Sequence, residues 1–224
     1  PQPAELTVAN GAELDSFDPQ LATSAGSTRL LSAVYDCMTA IDPLSGELLT
    51  ELASSFESSD SNRQWRFVLR SDARWSDGSA LTLTDVRDSW RRLQRPSTAA
   101  PYSDWLNDAK IEIVAGAVQV NFSTPQPLFA TYCTYHALAP IPAVLRQATP
   151  GVIPDNMIYS GPYKIVEHRI RDFTRLAINT EHADFSTESF ATIDFLSVDS
   201  QWTSLNLYLD SQVDFIPEVP QPAL

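Results

Sequence analysis

The stretch of sequence that decides the fold begins with Trp65-Arg66-Phe67-Val68-Leu69-Arg70 and continues through Ala73-Arg74-Trp75-Ser76-Asp77-Gly78. Apolar and polar residues alternate in its first half, so that Trp65, Phe67 and Leu69 share one face. This period of two residues predicts a half-buried β-strand. The Asp77-Gly78 pair at the end of the second half predicts a turn.

A helix is predicted directly after that turn. Val86, Trp90 and Leu93 recur at helical spacing, Thr84 is the predicted N-terminal cap, and Pro96 ends the helix. Large aromatic residues at strand and helix spacing usually pack in the interior. We therefore expect the tryptophans of this region to lie in the core and not against a ligand. They are Trp65, Trp75 and Trp90.

Shorter patterns on either side predict the remaining elements. Helices are predicted over 27–38 and 201–210, and strands over 6–9, 161–168, 173–179, 193–198 and 213–216, with two more around Gly116. The last strand, helix and strand predict a parallel pair with a right-handed crossover. Pro140 and Pro142 predict that any helix between 125 and 145 is broken. An α/β pattern at both ends around a mixed middle indicates one domain inserted into another.

The composition indicates an acidic globular protein. Of 224 residues, 43% are hydrophobic, and 28 Asp and Glu outnumber 15 Lys and Arg, for a formal net charge of −13. Such a surface repels phosphate backbones, so we expect no nucleic-acid partner. No apolar run approaches the roughly 18 residues needed to span a bilayer, and no signal segment is recognised.

No motif for catalysis or cofactor binding is apparent. The glycines form no phosphate-binding loop and the histidines no zinc motif, so we expect no enzyme activity, no cofactor and no metal. His168 and His182 could meet near Asp184 at a metal, but surface positions are expected for both. Cys37 and Cys133 leave two interpretations open: one disulfide in an oxidising compartment, or two separate buried thiols.

Four blocks, in the right order, resemble the family 5 extracellular solute-binding proteins, whose best-known members bind oligopeptides and dipeptides. They are Leu14-Asp15-Ser16-Phe17-Asp18-Pro19, the stretch 65–90, Ser160-Gly161-Pro162-Tyr163-Lys164-Ile165, and Asp210-Ser211-Gln212-Val213-Asp214. Together they span nearly the whole chain. Ser211 departs from the family, which often has glycine there. Because glycine adopts a left-handed helix cap at no cost, we expect a less tight helix end in this chain.

The resemblance implies an α/β fold with a type II periplasmic-binding-protein-like lobe and a smaller α+β domain inserted in it. By analogy, residues 1–35 and 152–224 form the lobe, and residues 36–151 form the inserted domain. The resemblance also implies that the family's second lobe is missing from this chain. The strands that complete the first lobe from the far end of the family's chain would be missing too, which leaves an unpaired sheet edge.

The resemblance also suggests which residues touch a ligand. The loop after Pro19 resembles the family's ligand-facing loop and places Thr23, Ser24 and Ala25 near a peptide, where small polar residues suit backbone hydrogen bonds. Tyr102 matches a tyrosine that lines the family's peptide site. The alternative for Tyr102 is a loop aromatic packed on its own domain. Glu218 follows in a third ligand-adjacent loop, where the family often has asparagine.

The function implied is that of a substrate-binding receptor that captures short peptides for an ABC importer. Its partners would be a short peptide and the membrane permease subunits, and the full-length protein would be a monomer. A periplasmic or cell-surface location, with a lipid anchor as one form, follows from the same resemblance. The alternatives are another solute, such as a sugar, an opine or a metal chelate, a solute sensor within a regulator, and an enzyme with an unrecognised site.

Overall fold

The computed structural model describes residues 5–221, and within them short strands and helices alternate along the chain. The strands are β1 Leu6–Ala9, β2 Thr39–Ile41, β3 Leu48–Thr50, β4 Ala53–Ser59, β5 Gln64–Leu69, β6 Lys110–Val114, β7 Ala117–Asn121, β8 Tyr163–Arg169, β9 Phe173–Ile178 and β10 Thr192–Leu196. The α-helices are α1 Ala25–Val34, α2 Leu83–Leu93, α3 Phe129–Tyr132, α4 Ala143–Gln147 and α5 Gln201–Leu209, and 3-10 turns cover Pro96–Thr98, Ser103–Leu106 and His136–Leu138.

The first sheet joins the beginning of the chain to its last third, in the order β1-β10-β9-β8. β1 runs parallel to β10, with Leu6 opposite Ile193, whereas β10, β9 and β8 are antiparallel neighbours. This pairing confirms the mixed α/β character predicted from the sequence. It also brings the loop after β1 and the loop after β10 to the same edge, because parallel strands end together.

The predicted strand over 213–216 is wrong. Only an isolated parallel bridge joins Val8 to Phe215. The Asp214 carboxylate accepts from the Thr7 amide at 2.7 Å. The Asp214 side chain thus takes the place of the main-chain carbonyl that would accept this bond in a regular β-ladder. The segment still runs parallel to β1, on the side opposite β10. The segments on either side of helix α5, which are β10 and residues 213–216, therefore do not pair with each other. Strand β1 lies between them.

The second sheet has the order β4-β5-β7-β6 and is antiparallel throughout. Helix α2 packs on β6 and β7, and the aromatic rings of β5 and α2 meet edge to face, with Phe67 5.7 Å from Trp90 between ring centroids. Trp65, Trp75 and Trp90 are all buried, as predicted. Burial of these rings in one cluster supplies much of the apolar area that holds the region together.

Two helix starts differ from the prediction by a few residues. Helix α2 is capped by Thr82, not Thr84. Thr82 and Asp85 form a capping box: the Thr82 side chain accepts from the Asp85 amide, and the Asp85 carboxylate accepts from the Thr82 amide. Helix α1 begins at Ala25, not Ser27, because the Ser24 hydroxyl accepts from the Ser27 amide. The region 125–145 is broken into α3, a 3-10 turn and the start of α4, as predicted, and Pro140 and Pro142 separate the turn from α4.

Gly161 packs where no side chain fits. A Cβ at this position would lie 2.6 Å from the Val34 carbonyl carbon. The Gly161 amide donates to the Val34 carbonyl at 2.9 Å. The sequence block Ser160-Gly161-Pro162 therefore ties the start of β8 to the end of α1.

Buried residues form two hydrophobic clusters. One joins β1, α1, β9 and β10, and the other joins the second sheet to α2 and α3. Ala139, Ile141 and Leu145 belong to the first cluster. The division into residues 1–35 with 152–224 and residues 36–151 stays a prediction, and residues 1–4 and 222–224 lie outside the described part of the chain.

Helix α5 buries little of its apolar surface. Trp202 is 51% exposed and Leu209 is 68% exposed, and Ser204 is its buried residue. None of the helices within residues 5–221 is both long enough and apolar enough to cross a membrane.

Candidate functional site

One carboxylate shapes the loop that carries three of the predicted ligand contacts. Asp15 accepts from the Thr23 amide at 2.7 Å and from the Ser24 amide at 3.0 Å, and it also accepts from both hydroxyls. Burial alone would raise the pKa of Asp15, but hydrogen bonds from Ser27, Thr23 and Ser24 outweigh burial and hold the pKa well below its usual range. Asp15 is therefore ionised and fixes the loop.

The loop presents a free main-chain acceptor and donor on either side of Ser24. Ser24 is extended, with φ −74° and ψ 150°. Among the hydrogen bonds within residues 5–221, none uses the Thr23 carbonyl or the Ala25 amide. In an extended chain, a carbonyl at one residue and an amide two residues later point the same way. A single residue of an extended ligand can therefore bond both groups, as in a parallel β-bridge.

Tyr102 lies half-buried in an aromatic cluster beside this loop. Its ring centroid lies 4.8 Å from that of Trp105, and its hydroxyl lies 3.1 Å from the Tyr135 hydroxyl. The hydrogen bond with Tyr135, with burial and the nearby Asp15 charge, raises the pKa of Tyr102 to about 12. Tyr102 is therefore a neutral phenol at physiological pH.

A chain of hydroxyl groups connects Tyr102 to helix α1. The Tyr135 hydroxyl lies 3.3 Å from Thr28 Oγ1, and Thr28 Oγ1 lies 3.2 Å from His136 Nε2. Thr28 is one turn after Ser24 on the same helix. The structure thus brings Tyr102 close to the loop of Thr23, Ser24 and Ala25 through two residues that the sequence analysis did not single out.

Glu218 lies at a separate position, next to Ser24 and Ala25. A cavity of about 270 Å³ is lined by Ser24, Ala25 and Glu218, together with residues of the loops after β1 and β10. Glu218 Oε2 accepts from Gln201 Nε2 at 2.6 Å. Thr23 and Tyr102 are not among the lining residues. The five predicted contacts therefore divide between two neighbouring positions that share Ser24 and Ala25.

A buried ion pair between Arg92 and Asp18 anchors the start of the loop that leads to Ser24. Arg92 Nη2 lies 2.6 Å from Asp18 Oδ2, and Arg92 Nη1 donates to Gln20 Oε1 at 2.6 Å. The Arg92 side chain is 2% exposed and that of Asp18 is fully buried. Because Arg92 is on α2, this pair links the loop to the second hydrophobic cluster. Removing one partner alone would leave a buried charge unpaired.

The remaining candidates for chemistry are dispersed. Cys37 and Cys133 are buried free thiols, and burial raises the pKa of both well above its usual range. His168 bonds Thr174, and His182 bonds Asp36. Within residues 5–221 no group of three His, Cys, Asp or Glu side chains is placed to hold a metal ion.

Residues 47–224 match the sequence profile described as bacterial extracellular solute-binding proteins, family 5 Middle. Because the match covers well over half of the sequence, the chain belongs to this family.

Known relatives agree with the assignment. The periplasmic oligopeptide-binding protein OppA of Salmonella typhimurium is 26% identical over 92% of this chain and 41% of the relative. The probable deoxycholate-binding periplasmic protein YgiS of Escherichia coli is 24% identical over 96% of this chain and 44% of the relative. The crystal structure of Haemophilus influenzae OppA in complex with the peptide RPPGFSPFR superimposes with a TM-score of 0.87 and 24% identity, over 96% of this chain and 46% of that one. The chain thus has the fold of these binding proteins and spans less than half their length.

Proposed function

We propose that this chain supplies one face of the binding site of a receptor that captures short peptides for an ABC importer. The observation that carries the proposal is the pair of unused main-chain groups at Thr23 and Ala25. They offer a peptide backbone two hydrogen bonds that do not depend on its side chains. Tyr102 adds apolar area and a hydroxyl at low cost in conformational entropy.

Family membership and the names of the relatives support the same function. The relatives are named as binding proteins, and none of those reported above is named as an enzyme. They are also named as periplasmic, which supports a periplasmic or cell-surface location here. In this proposal the permease recognises the receptor after it closes on its ligand.

Another solute is the main competing function, since the relative YgiS is named as probably binding deoxycholate. A steroid-like solute would need a large apolar cavity. The cavity that Ser24, Ala25 and Glu218 line also contains charged residues, among them Glu13, Arg29 and Asp199. These charged groups favour a ligand with hydrogen-bonding groups, such as a peptide.

The substitution Ala25→Pro tests the proposal. Proline removes the amide donor, yet it suits the first position of a helix, and the extended Ser24 suits the residue before a proline. We expect peptide affinity to fall about two- to tenfold, the loss of one main-chain hydrogen bond. The measurement is calorimetric titration with a tripeptide library, on the longest protein that the source genome encodes around this sequence.

Ala25→Ser is the matched control, because it keeps the amide and should bind as the wild type does. A wild-type protein that binds no peptide, or that releases one non-peptide solute in native mass spectrometry, would overturn the proposal.

A further inference from the structure

Four side chains, from Tyr102 to the buried His136, form one continuous hydrogen-bonded chain. Tyr102 bonds Tyr135, Tyr135 bonds Thr28, and Thr28 bonds His136 Nε2. His136 Nδ1 lies 2.8 Å from the Pro19 carbonyl oxygen. Each hydroxyl has one proton to donate, so the direction of the whole chain follows from its buried end.

The Pro19 carbonyl determines the tautomer of His136. A carbonyl oxygen only accepts, so Nδ1 carries the proton. His136 is 1% exposed, and burial lowers its pKa, so the ring is neutral. Nε2 therefore has a lone pair and accepts from Thr28.

The single Thr28 proton has two acceptors that cannot donate back, the Ser24 carbonyl oxygen and His136 Nε2, and with either of them it is not available to Tyr135. The Ser24 carbonyl, 3.0 Å from Thr28 Oγ1, already accepts from the Thr28 amide at 2.9 Å. A buried ring nitrogen left without a donor would cost more than a carbonyl left with one partner. Thr28 then accepts from Tyr135, and Tyr135 accepts from Tyr102.

We propose that Tyr135, Thr28 and His136 orient the Tyr102 hydroxyl so that it presents a lone pair, and not a proton, to the ligand. The inference rests on the proposed peptide-binding function and specifies which chemical group is recognised. Tyr102 selects an N–H donor, which is a backbone amide or an ammonium group, over a carbonyl or carboxylate. The ionised Asp15 nearby disfavours a carboxylate at the same position.

Binding of N-methylated peptides tests the inference. In a tripeptide series each amide nitrogen is methylated in turn, which removes one N–H donor at a time. We expect one position at which methylation weakens binding to the wild type about two- to tenfold more than binding to Tyr102→Phe. Tyr135→Phe should lose the same selectivity, because the Tyr102 proton then has no acceptor and becomes free to face the ligand.

Tyr132→Phe is the matched control. Tyr132 stacks on Trp105 with centroids 5.0 Å apart, so it belongs to the same aromatic cluster but lies outside the hydrogen-bonded chain. This variant should keep the full preference for the N–H donor. Peptides that bind wild type and Tyr135→Phe with equal selectivity would overturn the inference and leave the proposed function intact.

A second measurement does not depend on peptide binding. Nitrogen-15 chemical shifts of the His136 ring should show a neutral ring protonated at Nδ1, and Thr28→Val should shift the Nε2 signal. A ring protonated at Nε2 would remove the acceptor from which the direction of the chain is argued and would overturn the inference. A wild-type protein that binds no peptide would instead contradict the proposed function.

Discussion

Glu51 lies among several ionisable groups where the two hydrophobic clusters meet. Its carboxylate accepts from the Cys37 amide at 2.7 Å. The neighbouring His182 Nε2 bonds Asp36 Oδ2 at 2.8 Å. Burial, followed by the charge of Asp36, raises the pKa of Glu51 to about 8. Burial lowers the pKa of His182, but the bond and charge of Asp36 outweigh this and raise it overall. Both groups therefore hold a proton more tightly in the folded protein.

The folded chain should lose stability as the pH rises from 5 to 8. When folding raises the pKa of a group, its bound proton stabilises the folded protein. The stabilisation is complete below the pKa of the unfolded state and is lost as the pH rises through the pKa of the folded state. For Glu51 this window runs from 4.5 to about 8. Between pH 5 and pH 8 the unfolding free energy of the wild type should fall by on the order of 3 kcal/mol more than that of Glu51→Gln.

Urea unfolding of wild type and Glu51→Gln at pH 5 and pH 8 measures this effect. Gln retains a carbonyl oxygen for the Cys37 amide, so the fold should be preserved. Glu47→Gln is the control, because Glu47 is an exposed carboxylate four residues earlier. Equal pH dependence in all three proteins would show that Glu51 ionises normally.

At the scale of elements, helix α5 ends more tightly than the sequence analysis expected. Ser211 adopts the left-handed conformation with φ 56°. The Gln212 amide donates to the Leu207 carbonyl at 2.8 Å, and the Ser211 amide donates to the Tyr208 carbonyl at 3.0 Å. These two bonds define a Schellman motif. The expectation that a serine here would loosen the helix end is therefore wrong, since the motif forms in spite of the backbone cost.

Ser211→Gly should stabilise the protein by about 1 kcal/mol, because glycine adopts a left-handed cap without a Cβ clash. Chemical denaturation at a single pH measures the change. Ser211→Ala is the control, and it should give no gain because its Cβ remains. If the glycine variant were less stable than the alanine variant, the serine would have a role beyond the cap.

At the scale of the whole molecule, the candidate site is open and the apolar surface beside it is unusually exposed. Thr23, Ala25 and Glu218 are exposed and Tyr102 is half-buried in the described part of the chain. Phe215 is 51% exposed, as is Trp202 on α5. Ligand sites in general enclose most of a small ligand. One face alone cannot do so.

The 224-residue chain by itself should therefore bind peptides at least tenfold more weakly than the longest protein encoded around it, if that protein has the length of its relatives. Calorimetry with the same peptide on both proteins makes the comparison, and circular dichroism shows whether the shorter chain is folded. Equal affinities would mean that the face described above is the complete site.

Most of the elements could be predicted from the sequence because their patterns are local. Alternation around Phe67 and helical spacing around Trp90 specify a strand and a helix over a few residues, and both were found. The strand over 213–216 was wrong because Asp214 replaces a ladder carbonyl with its side chain. No local pattern reveals such a contact, which depends on β1 from the other end of the chain.

The sequence by itself determined the class of fold and the family, because motif order and periodicity are properties of neighbouring residues. The tertiary structure alone decided how the site is organised. Thr28 meets His136 across 108 positions of sequence, and Glu51 becomes half-buried beside Asp36 and His182 only after folding. Hydrogen-bond direction and burial-shifted pKa values arise from such contacts, and they depend on distances that the order of residues does not contain.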